Sequence, residues 1–258
     1  MSSAARGTVH VTRPSAGIVV FRIDAPPANA LATAVREGFL ADLESLEADL
    51  DVRAVVLTGT GKAFCSGDDL REAATRGETG PASLRQFARL IDKVESFRVP
   101  VIAAINGYTL GGGLELALAC DIRIGSTDAS FTAAGVNVGL MASVFRLPRA
   151  IGVARAKSML LTGLPIDAAT SEHWGMLTAV TSADDLDAHA LQLAERISSR
   201  APLSVEAAKR QIGRAFDLTP EQAQRESAKE IAVLAASNDH REAVRSFAAK
   251  ATPRFTRR

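Results

Sequence analysis

The sequence has little material for metal or disulfide chemistry, with two cysteines and four histidines in 258 residues. Cys65 and Cys120 stand in apolar or loop contexts without the spacing of metal ligands, so we expect reduced thiols. The histidines are scattered, and none belongs to an HExxH motif or a paired Cys/His pattern. The sequence therefore predicts neither a metal site nor a disulfide-stapled fold.

An excess of charge of one sign is also lacking, because 30 Lys and Arg residues against 29 Asp and Glu residues give a formal net charge of +1. This balance provides no global field that would attract nucleic acid or a membrane surface. The opening residues lack the apolar stretch of a signal peptide. No uninterrupted apolar run approaches the roughly 20 residues that a membrane helix requires. We therefore expect a cytoplasmic protein without nucleic-acid or membrane partners.

The order of predicted elements indicates an α/β fold with a helical C-terminal layer. In the first part, strands are predicted at 10–12, 18–23, 53–57, 101–105, 121–125 and 129–132, and helices at 35–50 and 84–97. Strand signals nearly vanish after about residue 153, where helices are predicted at 184–200, 203–216, 220–236 and 240–250. This pattern divides the chain into a core over residues 1–200 and a helical region over 201–258.

Two glycine-centred loops each follow a predicted apolar strand and precede a predicted helix. The first is TGTGKAFCSGDDL over residues 58–70, and the second is NGYTLGGGLE over residues 106–115. Unpaired backbone N–H groups point out of such loops. Two of them converging on one carbonyl oxygen make an oxyanion hole, which stabilises an enolate or a tetrahedral anion. Glu115 lies two residues past the second glycine run, where its carboxylate can transfer a proton.

Other glycine motifs do not fit these loops. A phosphate-binding P-loop would need glycine at Val56 and a hydroxyl residue at Ala63. A dinucleotide fingerprint would need glycine at Phe64 or Leu116. A nucleophile elbow around Ser66 would also need glycine at Phe64.

Several further segments accompany the two loops in a fixed order along nearly the whole chain. They are PPANAL (26–31), KAFCSGDDL (62–70), NGYTLGGGLEL (106–116), CDIR (120–123), WGM (174–176), and Phe247 and Lys250 with PRF (253–255). Together they resemble the enoyl-CoA hydratase/isomerase family, the crotonase superfamily. The resemblance implies a crotonase-like spiral of ββα units and C-terminal helices that assemble a homotrimer or a dimer of trimers. It also implies an acyl-CoA substrate, with coenzyme A as part of the substrate and no separate cofactor.

The resemblance also implies a set of site residues. By motif position, the backbone N–H groups of Asp68 and Gly112 are the oxyanion-hole donors, and Glu115 is the proton-transferring carboxylate. The adenine and pantetheine of coenzyme A are expected along residues 26–30 and 66–70. The predicted substrate-binding residues are Pro26, Ala28, Ala30, Ser66, Gly67, Asp68, Asp69, Leu70, Gly111, Gly112, Gly135 and Lys250.

Several side chains around this site have more than one interpretation. Lys250 and Arg254 are expected to reach the phosphates of coenzyme A from a neighbouring subunit, although a solvated basic tail is an equal alternative for Arg254, Arg257 and Arg258. Asp69 is expected to cap the following helix, whereas the role of Asp68 stays open because its side chain can face the acyl pocket. Residues 72–85 are expected to form a mobile wall of that pocket.

One position departs from the family pattern. Family hydratases add water with two glutamates, and the second of these falls at Gly135. Dienoyl isomerases of the family carry an acid eight residues further, where this chain has Ser143. Glu115 is thus the one family acid/base group that remains.

Three hypotheses therefore stay open. The chain is an enoyl-CoA hydratase or isomerase with Glu115 as its sole proton-transferring group, or it catalyses another enolate reaction such as decarboxylation or thioester hydrolysis. In the third hypothesis it binds acyl-CoA without turnover. Gly135 favours the second and third hypotheses over an efficient hydratase, whereas Glu115 beside an intact glycine run favours catalysis.

Overall fold

A computed structural model describes residues 7–258, and its main element is a six-stranded sheet. Across the sheet the strands are β1 (Thr8–Ser15), β2 (Ile18–Asp24), β4 (Ala54–Gly59), β7 (Val101–Ile105), β9 (Ile122–Ser126) and β12 (Ala179–Thr181). The first two form an antiparallel hairpin, and every other neighbouring pair is parallel. All residues of β4 and β7 are buried, as expected for parallel strands that are covered on both faces.

Helices cover both faces of this sheet. One face packs against the buried residues of α8 (Leu186–Ser198), which are Leu186, Ala190 and Ala194. The main core on the other face includes residues of α1 (Thr33–Glu47) and α3 (Gly80–Ser96). The buried positions of α3 are Phe87, Leu90, Ile91 and Val94, the spacing of an amphipathic helix.

Shorter strands form a second layer. A four-stranded sheet has the order β11 (Pro165–Asp167), β10 (Ser130–Thr132), β8 (Tyr108–Leu110) and β5 (Ala63–Cys65), and β3 (Ala30–Leu31) pairs with β6 (Gly67–Asp68). The chain repeatedly passes from a strand of the large sheet to a short strand and then to a helix. Two such helices are α2 (Leu70–Ala73) and α4 (Gly112–Ala119). This ββα repetition confirms the predicted α/β class and its spiral arrangement.

The remaining helices follow the second layer. They are α5 (Arg146–Ile151), α6 (Val153–Thr162), α7 (Ala168–His173), α9 (Pro202–Gly213), α10 (Pro220–Ala235) and α11 (Asn238–Ala248). The chain end returns to this region, since buried Asp239 accepts hydrogen bonds from the backbone N–H groups of Thr256 and Arg257. The Arg257 guanidinium also pairs with buried Glu206 at 2.8 Å. The alternative of a solvated basic tail is therefore wrong for Arg257.

The predicted hairpin, long strands and long helices are confirmed with boundary shifts of a few residues. The prediction that strands nearly vanish after residue 153 misses β11 and β12, which are three residues each. The prediction that the opening residues lack the apolar stretch of a signal peptide concerns mainly residues 1–6, which lie outside the described residues. A division at residues 200 and 201 stays a prediction. Within residues 7–258, no helix has the length and apolar character needed to cross a bilayer.

Candidate active site

The two glycine loops meet because the strands that precede them are neighbours. β5 and β8 pair in parallel, with Cys65 opposite Thr109. The segments that follow therefore leave the second sheet at the same edge. A Cβ atom at Gly67, whose φ is +87°, would lie 2.6 Å from the backbone nitrogen of Gly112. Glycine at position 67 thus allows the two main chains to touch.

A cavity of about 440 Å³ opens beside this junction. This volume is in the range of small-molecule sites, which are mostly apolar with a few polar groups. The predicted site residues in its wall are Ser66, Asp68, Leu70, Gly111, Gly112, Glu115 and Gly135. The apolar part of the wall includes Leu84, Phe87 and Ile91 of α3, and Val138, Leu140, Met141, Val144 and Phe145. The expected wall segment 72–85 contributes Leu84 but is largely helical.

The segment predicted to hold coenzyme A lies beside the first loop but outside the cavity wall. Ala30 pairs with Gly67, and the Ser66 N–H donates to the carbonyl of Ala28 at 3.0 Å. The intervening Asn29 is buried and donates a hydrogen bond to the Ala63 carbonyl at 2.6 Å, a contact that sequence reasoning missed. Like Ala28 and Ala30, Pro26 lies outside the cavity wall.

Three other predicted site residues also lie outside the wall, namely Gly67, Asp69 and Lys250. The Asp69 carboxylate accepts hydrogen bonds from the N–H groups of Arg71 and Glu72, so its predicted role as a helix cap is confirmed. Lys250 is exposed beyond the end of α11. The structure of the single chain does not bring Lys250 to the cavity.

The carboxylate of Asp68 is bound by two arginines. Arg36, whose side chain is 0% exposed, donates from Nη1 to Oδ1 of Asp68. Arg76 donates to both carboxylate oxygens, at 2.5 and 2.9 Å. Asp68 belongs to the cavity wall, and these ion pairs engage its carboxylate there. The sequence carried no spacing signal for either arginine.

Glu115 lies in the first turn of α4, and its two carboxylate oxygens differ. Oε1 accepts a hydrogen bond from Nη1 of Arg146 at the start of α5. Oε2 is buried and has no hydrogen-bond partner within residues 7–258. One oxygen is therefore anchored, and the other is buried without a partner among the described residues, on a side chain that belongs to the cavity wall.

Arg146 was missed by sequence reasoning, which had no motif that includes it. Besides Glu115, it pairs with Glu95 at 2.6 Å and with Asp92 at 3.2 Å, both on α3. Burial by itself lowers the pKa of Arg146, but hydrogen bonds to Glu95 and Glu115 outweigh burial and raise it. The guanidinium is thus a permanent positive charge next to Glu115.

Residues 13–258 match the family model described as enoyl-CoA hydratase/isomerase. The chain belongs to the enoyl-CoA hydratase/isomerase family. Among its relatives, the (E)-benzylidenesuccinyl-CoA hydratase of Thauera aromatica is 39% identical over 212 residues, which cover 80% of this chain and 82% of that protein. The 2,3-dehydroadipyl-CoA hydratase of Escherichia coli is 32% identical over 248 residues, which cover 92% and 94%.

Solved structures agree with this membership. A crystal structure of an enoyl-CoA hydratase from Bacillus anthracis has a TM-score of 0.94 at 32% identity, and the match covers 97% of this chain and 99% of that chain. The family and the crotonase-like fold inferred from the motifs are therefore confirmed. The chain is an enzyme of the hydratase/isomerase family.

In this hydratase/isomerase family member, the position of the second family glutamate is occupied by glycine and covered by backbone. A Cβ atom at Gly135 would lie 3.0 Å from the carbonyl oxygen of Leu140 and 3.2 Å from the nitrogen of Ala142. A side chain at this position would therefore require the segment 140–142 to shift.

Proposed function

We propose that this family member catalyses reversible addition of water to the C2=C3 bond of an enoyl-CoA, with Glu115 as its only proton-transferring carboxylate. The observation that carries this proposal is the free Oε2 of Glu115 in the wall of an apolar cavity beside the two touching glycine loops. The hydratase names of both relatives described above support the same reaction type.

In this proposal the backbone N–H groups of Asp68 and Gly112 hold the thioester oxygen. The contact between Gly67 and Gly112 supports this assignment, because it brings the two loops together at the cavity. The positive end of the α4 dipole favours negative charge at the same place. Loss of one such donor typically lowers the rate by on the order of a hundredfold or more.

Glu115 then transfers the proton in both directions. In hydration, Oε2 accepts a proton from water while the water oxygen bonds to C3, and the resulting enolate takes a proton at C2 from the protonated Glu115. Water supplies both the hydroxyl group and the proton, so the step balances and leaves Glu115 unchanged. Dehydration follows the same path in reverse.

The rest of the binding site is proposed from the family pattern. Residues Pro26, Ala28 and Ala30, together with 66–70, hold the adenine and pantetheine, and Lys250 of a neighbouring subunit binds a phosphate. A cytoplasmic homotrimer or dimer of trimers provides that neighbour. Large exposed apolar side chains on the C-terminal helices support such an assembly, namely Ile212, Ile231, Val233, Val244 and Phe247.

A second candidate is a protein that binds acyl-CoA but does not hydrate it. Such a protein catalyses another enolate reaction, or it binds acyl-CoA without turnover. The backbone that covers position 135 favours it, because no second carboxylate can enter there without rearrangement.

The decisive experiment incubates the enzyme with enoyl-CoAs of different chain length and follows the products by mass spectrometry. We expect the mass to increase by one water. Glu115→Gln should abolish this gain while the affinity for acyl-CoA changes little, because the amide keeps the size of the carboxylate but is a very weak base. The control Glu37→Gln removes an exposed carboxylate outside the cavity wall and should retain activity. Turnover that survives Glu115→Gln would exclude Glu115 from the mechanism, and binding without any product would favour the second candidate.

A further inference from the structure

Glu115 is not alone in having an unpaired polar atom beside the cavity. Ser143 also belongs to the cavity wall and is 4% exposed, and its buried hydroxyl lacks a hydrogen-bond partner in the part of the chain that the structure describes. Buried hydroxyl groups are nearly always paired, because an unpaired one costs free energy. The cavity wall thus carries two buried polar atoms without partners, Oε2 of Glu115 and Oγ of Ser143.

The backbone of Ser143 is held in an unfavourable conformation. Its φ is +61°, in the left-handed region that residues with a Cβ atom rarely adopt. The carbonyl of Ser143 accepts a hydrogen bond from the Leu147 N–H at 3.1 Å, and Arg146 in the same turn binds Glu115. Residues in such conformations cluster at functional sites. One short turn therefore orients the Ser143 hydroxyl and anchors the Glu115 carboxylate.

We propose that Ser143 Oγ and Glu115 Oε2 together form a subsite for the oxygen atom at C3 of the acyl group. That oxygen belongs to the attacking water in hydration and to the hydroxyl group of a 3-hydroxyacyl-CoA in dehydration, so this assignment rests on the proposed function. A serine hydroxyl both donates and accepts, whereas a carboxylate only accepts. The substrate oxygen can therefore donate to Glu115 and accept from Ser143.

Ser143 is a binding residue in this scheme and transfers no proton. Its contribution is to hold the oxygen in a family member whose second carboxylate position is glycine. The subsite recognises a neutral hydroxyl group or water at C3, and a saturated acyl chain leaves it unfilled.

The test compares two ligands that do not react. 2,2-Difluoro-3-hydroxybutyryl-CoA has no C2 proton to lose, and 2,2-difluorobutyryl-CoA differs from it only in lacking the C3 hydroxyl. We expect the wild-type enzyme to bind the hydroxylated analogue about 30 times more tightly or better in calorimetry, the size expected of one neutral hydrogen bond and one hydrogen bond to a carboxylate. Ser143→Ala should reduce this ratio several-fold and leave the affinity for the analogue without the hydroxyl within about twofold.

Two further variants separate binding from folding. Ser143→Gly also removes the hydroxyl but fits the positive φ, so it should reduce the ratio without lowering the melting temperature. Thr58→Val removes another buried hydroxyl that is unpaired among the described residues but does not line the cavity, and it should leave the ratio unchanged.

An unchanged ratio in Ser143→Ala and Ser143→Gly would overturn the subsite, as would an equal loss of affinity for both analogues. The result is independent of turnover. A ratio that depends on Ser143 in an enzyme without hydratase activity would support the subsite and contradict the proposed reaction. Hydratase activity together with an affinity ratio that does not change in the Ser143 variants would support the proposed reaction and contradict the subsite.

Discussion

Glu115 is held by an arginine that lies 31 positions further along the chain. The contact fixes one carboxylate oxygen and leaves the other to the cavity, which is the arrangement that the proposed proton transfer requires. Arg146 also reaches Glu95 on α3, so the carboxylate is tied to the helix that lines the apolar wall. At the scale of residues, the chemistry assigned to Glu115 therefore depends on Arg146.

Arg146→Ala should lower kcat/KM by about 10- to 100-fold, because small errors in the position of a catalytic group cost this much. Steady-state kinetics measures the loss, and Arg146→Lys should restore part of it.

Arg89→Ala is the matched control for this prediction. Arg89 is exposed on α3, the helix that carries Glu95, and lies outside the cavity wall. Its kcat/KM should match that of the wild type. An unchanged kcat/KM in Arg146→Ala would show that the arginine has only a structural role.

The glycine at position 135 is a second feature at the residue scale. Gly135→Ala should lower the free energy of unfolding by about 1 to 3 kcal/mol, because its Cβ meets the backbone of residues 140–142. Denaturant unfolding measures this cost. Gly139→Ala is a poor comparison because its φ is positive, whereas Gly38→Ala has open space around the Cβ and should not destabilise. If Gly135→Ala is as stable as the wild type, residues 140–142 move at little cost in free energy. Gly135→Glu would then be a practical way to add the missing carboxylate.

At the scale of elements, ion pairs fix the segment that follows the first glycine loop. Arg76 is 8% exposed and binds both Asp68 and Glu72, while Glu72 accepts the Thr33 N–H at 2.8 Å. Hydrogen bonding to Asp68 is the main reason that the pKa of Arg76 is raised. The short helix α2 is thus fastened to the loop that carries the Asp68 N–H and to the start of α1.

Arg76→Ala should loosen residues 70–80 while the sheet keeps its protection. Loss of the buried contacts should cost about 2 kcal/mol locally, on the order of a 30-fold increase in amide exchange in this segment. Hydrogen exchange followed by mass spectrometry measures the change. As a control, Arg71→Ala removes an exposed arginine of α2 and should have no such effect. If amide exchange of residues 70–80 is the same in Arg76→Ala as in Arg71→Ala, Arg76 does not fasten this segment. The expectation of a mobile wall would then stand.

At the scale of the whole molecule, ion pairs join the C-terminal helices to the sheet. Asp121 accepts the Val101 N–H at 2.7 Å and pairs with Lys209 of α9 at 2.8 Å. Glu206, also on α9, pairs with Arg98 and with Arg257 near the chain end. The CDIR motif and the basic tail therefore have structural contacts within a single chain.

The two cysteines predict how stability depends on pH. Burial raises the pKa of Cys65 and of Cys120 from 9.0 to about 12. Above about pH 9 the unfolded chain releases thiol protons that the folded chain keeps, so the free energy of unfolding falls as the pH rises towards 12. Urea unfolding should show an extra loss of about 2 to 3 kcal/mol between about pH 8 and about pH 10.

The double variant Cys65→Ala/Cys120→Ala provides the comparison. Its stability at neutral pH should be lower because two buried side chains are shortened. The extra loss of unfolding free energy between about pH 8 and about pH 10 should be absent, because the variant has no thiols to titrate. Equal slopes in the two proteins would mean that the thiols titrate normally in the folded state.

The sequence by itself determined the fold class, the long elements and the family. Continuous apolar runs at residues 54–57 and 101–105 predict strands, and the glycine motifs in order identify the family without any coordinates. The sequence also showed that Asp69 would cap a helix, because capping is a local property of a few neighbouring residues. The three-residue strands β5, β8, β11 and β12 were missed, since they contain too few positions for a period to show.

Only the tertiary structure decided the partners of the charged groups. Asp68 is bound by Arg36 and Arg76, and Glu115 is held by Arg146. Such pairs join residues that are far apart along the chain, and no local pattern encodes which arginine reaches which carboxylate. The unpaired hydroxyl of Ser143 belongs to the same class, because burial and the lack of a partner are properties of the packed molecule and not of the sequence around it.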